Sequence, residues 1–183
     1  DCVHGNRTIP ERFGKASGIY TADVSQWHLG FLIGREIYPE EVLTTNIKNT
    51  SINSYKGNIF SIQNASPAEV WITEKLNYVV DYERTKYNTE RPVSASSWPT
   101  LDPIHHPLET VRMEDTAQID LSKLELIDAP AGIFISYHAY PYYPDFISND
   151  PVYKSYSDEF GQNSYIGYLT DLKSHYKQFP LLI

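Results

Sequence analysis

The sequence predicts an α/β fold built on a parallel sheet, with the spacing of a (β/α)8-type barrel, and three observations carry that prediction. Short, largely apolar runs bounded by Gly and Pro recur along the chain, at Leu29–Ile33, Gly132–His138 and Phe179–Ile183. Such runs read as strands buried on both faces. Segments with helical periodicity alternate with the strands, as crossover connections between parallel strands require. Ionisable or aromatic residues follow the strands directly, at the carboxyl ends where α/β folds build their sites.

The elements follow in order. Asp1–Gly5 reads as the last residues of a strand with His4 at its exit, and Asn6–Ser17, with Pro10 and Gly14, as a loop. Tyr20–Trp27 is expected as a short helix capped at Thr21 or Asp23. The strand ending at Ile33 is followed by Gly34 and the charged pair Arg35-Glu36. Pro39–Ala65, rich in Asn, Ser and Thr, is expected as a long connection with a turn at Tyr55–Asn58, of the kind that is functional or carries small elements of its own. Ser66-Pro67-Ala68-Glu69 is a helix start with a capping box, and the spacing of Val70, Thr73, Leu76, Asn77, Val80 and Arg84 carries that helix to about Tyr87.

Arg91–Pro99 is expected as a second strand ending in Trp98, followed by a loop from Thr100 to Thr116 that holds His105 and His106. Ile119–Leu126 fits one helical turn or two. The third strand, Gly132–His138, runs into His138-Ala139-Tyr140-Pro141, and Asp145–Gly161 is a loop. Tyr165, Tyr168, Leu169, Leu172 and Tyr176 share one helix face, and Phe179–Ile183 opens a fourth strand. Successive strand ends at Glu36, Trp98, His138 and Ile183 lie about 62, 40 and 45 residues apart, spacing that suits a barrel with elaborate loops at its carboxyl face.

Composition narrows the function. The chain has 183 residues, 41% hydrophobic and 21% charged, which suits one globular domain. A net charge of −8 leaves no basic stripe for phosphates and argues against nucleic acid as a partner. No apolar run approaches the roughly 18 residues of a membrane span. Cys2 is the single cysteine, so neither an internal disulfide nor a cysteine metal cluster can form. His105 and His106 are adjacent in sequence and poorly spaced to share one ion. No Gly-rich phosphate loop follows a strand, and no cofactor is expected. The 15 Tyr, 7 Phe and 3 Trp supply flat faces with polar edges that suit sugar rings as well as cores.

Strand ends therefore supply His4, Glu36, Trp98, His138 and Tyr140. A carboxylate, an aromatic platform and a His/Tyr pair on one face are what a retaining glycosidase needs around a sugar. At these positions the chain resembles the retaining (β/α)8 glycoside hydrolases that carry the acid/base after strand four and the nucleophile after strand seven. Leu32-Ile33-Gly34-Arg35-Glu36 resembles the end of strand four, and Arg91–Ser94 through Trp98-Pro99-Thr100 resembles strand five. Tyr137-His138-Ala139-Tyr140-Pro141 resembles strand six, and Tyr176–Ile183 the approach to strand seven.

The resemblance implies a piece of a barrel, from the end of strand three to the start of strand seven, acting on an oligo- or polysaccharide. Glu36 would be the acid/base, and the nucleophile would come from sequence just beyond Ile183. His4, Arg35, Trp98, His138 and Tyr140 would contact substrate or position the nucleophile. Arg35 departs from the pattern, because the family usually has Asn before the catalytic Glu. That departure keeps a second expectation in view, a barrel that binds glycans or a protein without chemistry. An unrelated doubly wound domain is the third.

Overall fold

A computed structural model describes residues 1–109 and 115–183, and the chain divides by its contacts into two units, Asp1–Gly30 and Phe31–Ile183. In the first unit β1 (Arg7–Ile9) and β2 (Gly18–Tyr20) form a short antiparallel ribbon. The expected strand at Asp1–Gly5 is instead a turn. The amides of His4 and Gly5 donate to the carbonyls of Asp1 and Cys2, and Gly5 sits at φ +61°. A Cβ on Gly5 would lie 2.6 Å from the Ala22 carbonyl carbon, so only glycine fits there. The expected helix from Tyr20 is likewise reduced to a 3-10 turn, Ser25–Trp27. Asp23 Oδ1 accepts the Ser25 amide, a local side-chain turn that competes with helix propagation.

The second unit is mixed α/β. It runs β3 (Phe31–Ile33), α1 (Pro39–Lys48), β4 (Ser54–Lys56), β5 (Phe60–Gln63), α2 (Pro67–Tyr87), β6 (Val93–Ser97) and β7 (Glu125–Leu126). Then come β8 (Ile135–Tyr137), α3 (Phe146–Asn149), α4 (Pro151–Lys154), β9 (Ser157–Asp158), β10 (Gly161–Gln162), α5 (Ser164–His175) and β11 (Leu181–Leu182). Strands β3, β6, β8 and β11 form a parallel sheet whose spatial order is the chain order. A three-stranded antiparallel sheet, β4-β5-β7, lies apart from it in hydrogen bonding.

Most of the elements match their sequence signals. Helix α2 begins where Ser66 predicts: Ser66 Oγ accepts the Glu69 amide, and Glu69 Oε2 accepts the Ser66 amide at 2.7 Å. Such a cap is worth about 1 kcal/mol. The helix ends at Asn88 in the left-handed region, where Asn is tolerated. Tyr168, Leu172 and Tyr176 are buried on α5 and its C-cap, with Tyr165 and Leu169 packed against the same core.

One expectation is made specific and another is corrected. The segment Pro39–Ala65 holds a ten-residue helix and a hairpin. Pro39 supplies a first position that needs no amide, and the Glu41 carboxylate accepts the Tyr38 amide, so a polar sequence still starts a helix. The middle crossover, by contrast, has no α-helix among its described residues. Between β6 and β8 lie two 3-10 turns, Pro99–Leu101 and Leu121–Lys123, and β7. Pro99 and Pro103 break any helical register there.

The sheet has one apolar face. Val93, Ala95, Ile133, Ile135 and Tyr137 join the main core with Leu76 and Val80 of α2 and Tyr168, Leu172 and Tyr176, while Phe31, Ile33 and Leu181 pack against it. Alternation along the strands turns Leu32, Ser94, Ser96, Ser136 and Leu182 to the opposite face. The hairpin between α1 and α2 is pinned by Asn77, whose Oδ1 accepts the amides of Ile59 and Phe60. Gly57 passes so close to Asn77 that a Cβ would clash with its amide. No helix among the described residues is long and apolar enough to cross a membrane.

Candidate functional site

The carboxyl ends of β3, β6 and β8 carry the candidate site. Gly34, at φ +96°, turns the chain out of β3, and Arg35 and Glu36 follow on an exposed loop before α1. Arg35 is committed to structure: its guanidinium donates to both Glu41 carboxylate oxygens at 2.7 and 2.8 Å and to the Glu36 carbonyl at 2.7 Å. This clamp ties the loop to the first turn of α1 and leaves the Glu36 carboxylate to other partners.

That partner is His138. The two pair at 2.9 Å, His138 Nδ1 to Glu36 Oε1, with side chains 39% and 45% exposed. His138 follows β8, and its amide donates to the Ser97 carbonyl of β6. Its other ring nitrogen, Nε2, lies 3.3 Å from Ser96 Oγ on β6. The imidazole therefore spans from the middle strand to the loop after β3. Glu36 and His138, expected separately at two strand ends, are brought together.

An aromatic wall accompanies the pair. Trp98 follows β6 and is half-buried, with Tyr38 edge-on at 5.9 Å and Tyr143 stacked at 6.3 Å. Tyr140 stacks on Tyr142 at 6.2 Å and exchanges backbone hydrogen bonds with Tyr143. The Tyr165 hydroxyl donates to the Ala139 carbonyl and holds this loop to α5. Trp98 and Tyr140 are thus placed on one rim. Tyr38 and Tyr143 belong to that rim as well and were not singled out in the sequence. The Tyr- and Pro-rich run Tyr140-Pro141-Tyr142-Tyr143-Pro144 was the signal for Tyr143, and for Tyr38 it was a place just after Arg35-Glu36.

Behind Trp98 the chain carries a second carboxylate–imidazole pair. Asp102 and His106 are wholly buried, with His106 Nε2 3.1 Å from each Asp102 oxygen. The Tyr168 hydroxyl and the Ile104 amide also donate to Asp102, each at 2.8 Å. Phe146 stacks on the His106 ring at 3.5 Å. Burial pushes the Asp102 carboxyl above its ordinary value, and the bonds from His106, Tyr168 and Ile104 offset only part of that. His105, its neighbour, is exposed and pairs with Asp115.

Further anchors hold the loops of this face. Glu69 Oε1 accepts the Asp120 amide at 2.7 Å, joining the start of α2 to the segment before β7. Asp120 in turn pairs with His175 of α5 at 3.0 Å. Burial opposes its ionisation, but the Ser122 amide and His175 outweigh that and hold its carboxyl below the usual range. A groove of about 330 Å³ opens between β3, α1 and α2, lined by Ile33, Arg35, Ile37, Trp71, Ile72 and Ser96 among others.

His4 lies in the first unit, in an isolated antiparallel bridge with Asp23. No group of three or more His, Cys, Asp or Glu among the described residues could hold a metal ion. Chemically, the arrangement offers an exposed carboxyl, an imidazole within hydrogen-bond distance of it, and aromatic faces at the neighbouring strand ends. Comparison with protein-family models, curated proteins and solved structures finds no match to this chain, so its reading rests on this geometry.

Proposed function

We propose that the chain is part of a (β/α)8 barrel and that Glu36 is the acid/base of a retaining glycosidase acting on a β-linked glycan. The observation that carries this is the convergence of Glu36 and His138 at the carboxyl ends of strands that flank β6, the strand bearing Trp98. Two features of the sheet support the barrel. Its strands follow one another in chain order without reversing, and the helices build one core on one face. A doubly wound sheet reverses its order at a switch point.

Glu36 would protonate the leaving oxygen and later deprotonate the attacking water. The nucleophile would be a carboxylate following β11, about 5 Å from Glu36, the separation that retention requires. Trp98, with Tyr38 and Tyr143 around it, would stack on a sugar face.

The test is hydrolysis of aryl β-glycosides by the complete protein that carries this sequence. Glu36→Gln should lower turnover of substrates with poor leaving groups by about 10²–10⁴-fold. Substrates with activated leaving groups should suffer far less, because they need no acid, and added azide should restore turnover by replacing the water that needs a base. Unchanged turnover on a poor leaving group would remove Glu36 from the mechanism. A second reading, a glycan-binding barrel without chemistry, is favoured by Arg35, which is spent on Glu41 where the family usually keeps an Asn. It predicts saccharide binding with no hydrolysis.

A further inference from the structure

We propose that Ser96 is a positioning residue for Glu36, acting through His138: its hydroxyl donates to Nε2 and so helps keep the ring proton on Nδ1, the nitrogen that faces the carboxylate. This rests on the reading of Glu36 as the acid/base. The Ser96 side chain is nearly buried on β6, within the ladder, and cannot wander. From there its Oγ lies 3.3 Å from His138 Nε2, while Nδ1 lies 2.9 Å from Glu36 Oε1.

A neutral imidazole has one N–H and one lone pair. When Glu36 is a carboxylate it accepts only, so Nδ1 must carry the proton and Nε2 must accept, and Ser96 Oγ–H is the donor that Nε2 meets. When the pair has taken up a proton and the ring is an imidazolium, Nε2–H donates instead, and the Ser96 hydroxyl turns to accept it. A hydroxyl serves both states. An alkyl side chain serves neither, and without the hydroxyl the Nδ1–H form rests on the exposed Glu36 contact alone.

The order Ser96, His138, Glu36 is also that of a nucleophile, base and orienting carboxylate. The placement argues against that role. Nucleophilic serines of α/β enzymes stand on exposed turns after a strand, whereas Ser96 lies inside β6 and is 8% exposed.

The experiment is ¹⁵N NMR of protein labelled at its six histidines, with the His138 signals assigned by their loss in His138→Gln. At a pH where the ring is neutral, wild type should show the Nδ1–H tautomer at His138. Ser96→Ala should move His138 toward the Nε2–H form that free imidazole side chains favour, and Ser96→Thr, which keeps the hydroxyl, should restore the wild-type signature. An Nδ1–H signature undisturbed in Ser96→Ala overturns the proposal, as does covalent labelling of Ser96 by an organophosphonate. In the complete protein, Ser96→Ala should lower kcat for poor leaving groups about tenfold, one hydrogen bond's worth, with KM unchanged. Absence of glycoside hydrolysis would remove the proposed reaction and leave the tautomer result standing, so the two readings fail separately.

Discussion

Two carboxylate–imidazole pairs follow neighbouring strands of one sheet, and they differ in what surrounds them. The side chains of Asp102 and His106 are at most 1% exposed, and every described partner of Asp102 is fixed: an imidazole, a phenol and an amide meet its two oxygens. Glu36 and His138 make a contact of nearly the same length in the open. The second ring nitrogen separates them further. His106 Nδ1 is buried without a hydrogen-bond partner among the described residues, while His138 Nε2 meets Ser96. Among the described residues the His106 ring therefore has a hydrogen-bond partner at one nitrogen only. The His138 ring can hold a proton at either end. One pair is a staple, and the other is open to chemistry.

The comparison breaks most visibly at Asp102. Asp102→Ala would take the Asp102 oxygens away from His106 Nε2, the Tyr168 hydroxyl and the Ile104 amide, and a buried donor left unsatisfied costs about 1–3 kcal/mol. Urea unfolding of the variant should show that loss in its midpoint, with an unchanged slope if the fold is kept. A loss below about 1 kcal/mol would mean that the loop after β6 is held by Leu101 and Phe146 packing and that the pair is incidental.

The sequence showed one of these pairs and concealed the other. Glu36 and His138 were legible because each follows an apolar strand directly, and strand ends are where a parallel sheet presents side chains. Asp102 and His106 lie inside a polar loop, Thr100–Thr116, with no periodicity to announce burial. His106 was weighed there only as a metal ligand beside His105. Their burial comes from Phe146, Tyr153 and Tyr168, which are distant in sequence. Helix α2 was legible to its first residue because Ser66, Pro67 and Glu69 are local signals. Helix α1 is only half legible: Pro39–Ala65 reads as a connection with small elements of its own, but its apolar positions are few and the helix start depends on the Glu41 cap. The turn at Asp1–Gly5 was missed because the close approach of Ala22 to Gly5 is a tertiary fact.

Acidity sharpens the contrast. Asp102 binds its proton more tightly in the folded chain than its ordinary value of 3.8. Its contribution to stability is therefore fully present below pH 3.8 and declines as pH rises through the folded value. Asp102→Asn has no such titration. The stability of wild type relative to Asp102→Asn should fall as pH rises from about 4, measured by urea midpoints across the range. A difference independent of pH would mean that the donors around Asp102 balance its burial fully.

The smallest effect is expected at the exposed pair. Glu36 and His138 are each more than a third exposed, so water and salt screen their attraction. Pairs in that setting contribute about 0–1 kcal/mol. Glu36→Gln should therefore leave the unfolding midpoint nearly where it is, whatever it does to catalysis, since glutamine is isosteric and its amide can still meet the ring. Added salt should change the stability of wild type and variant alike. A loss as large as that of Asp102→Ala would place Glu36 in the framework of the fold. The argument that frees it for proton transfer would then fail with it, because a carboxylate that holds the fold together cannot give up its charge at each turnover without loosening the loop between β3 and α1.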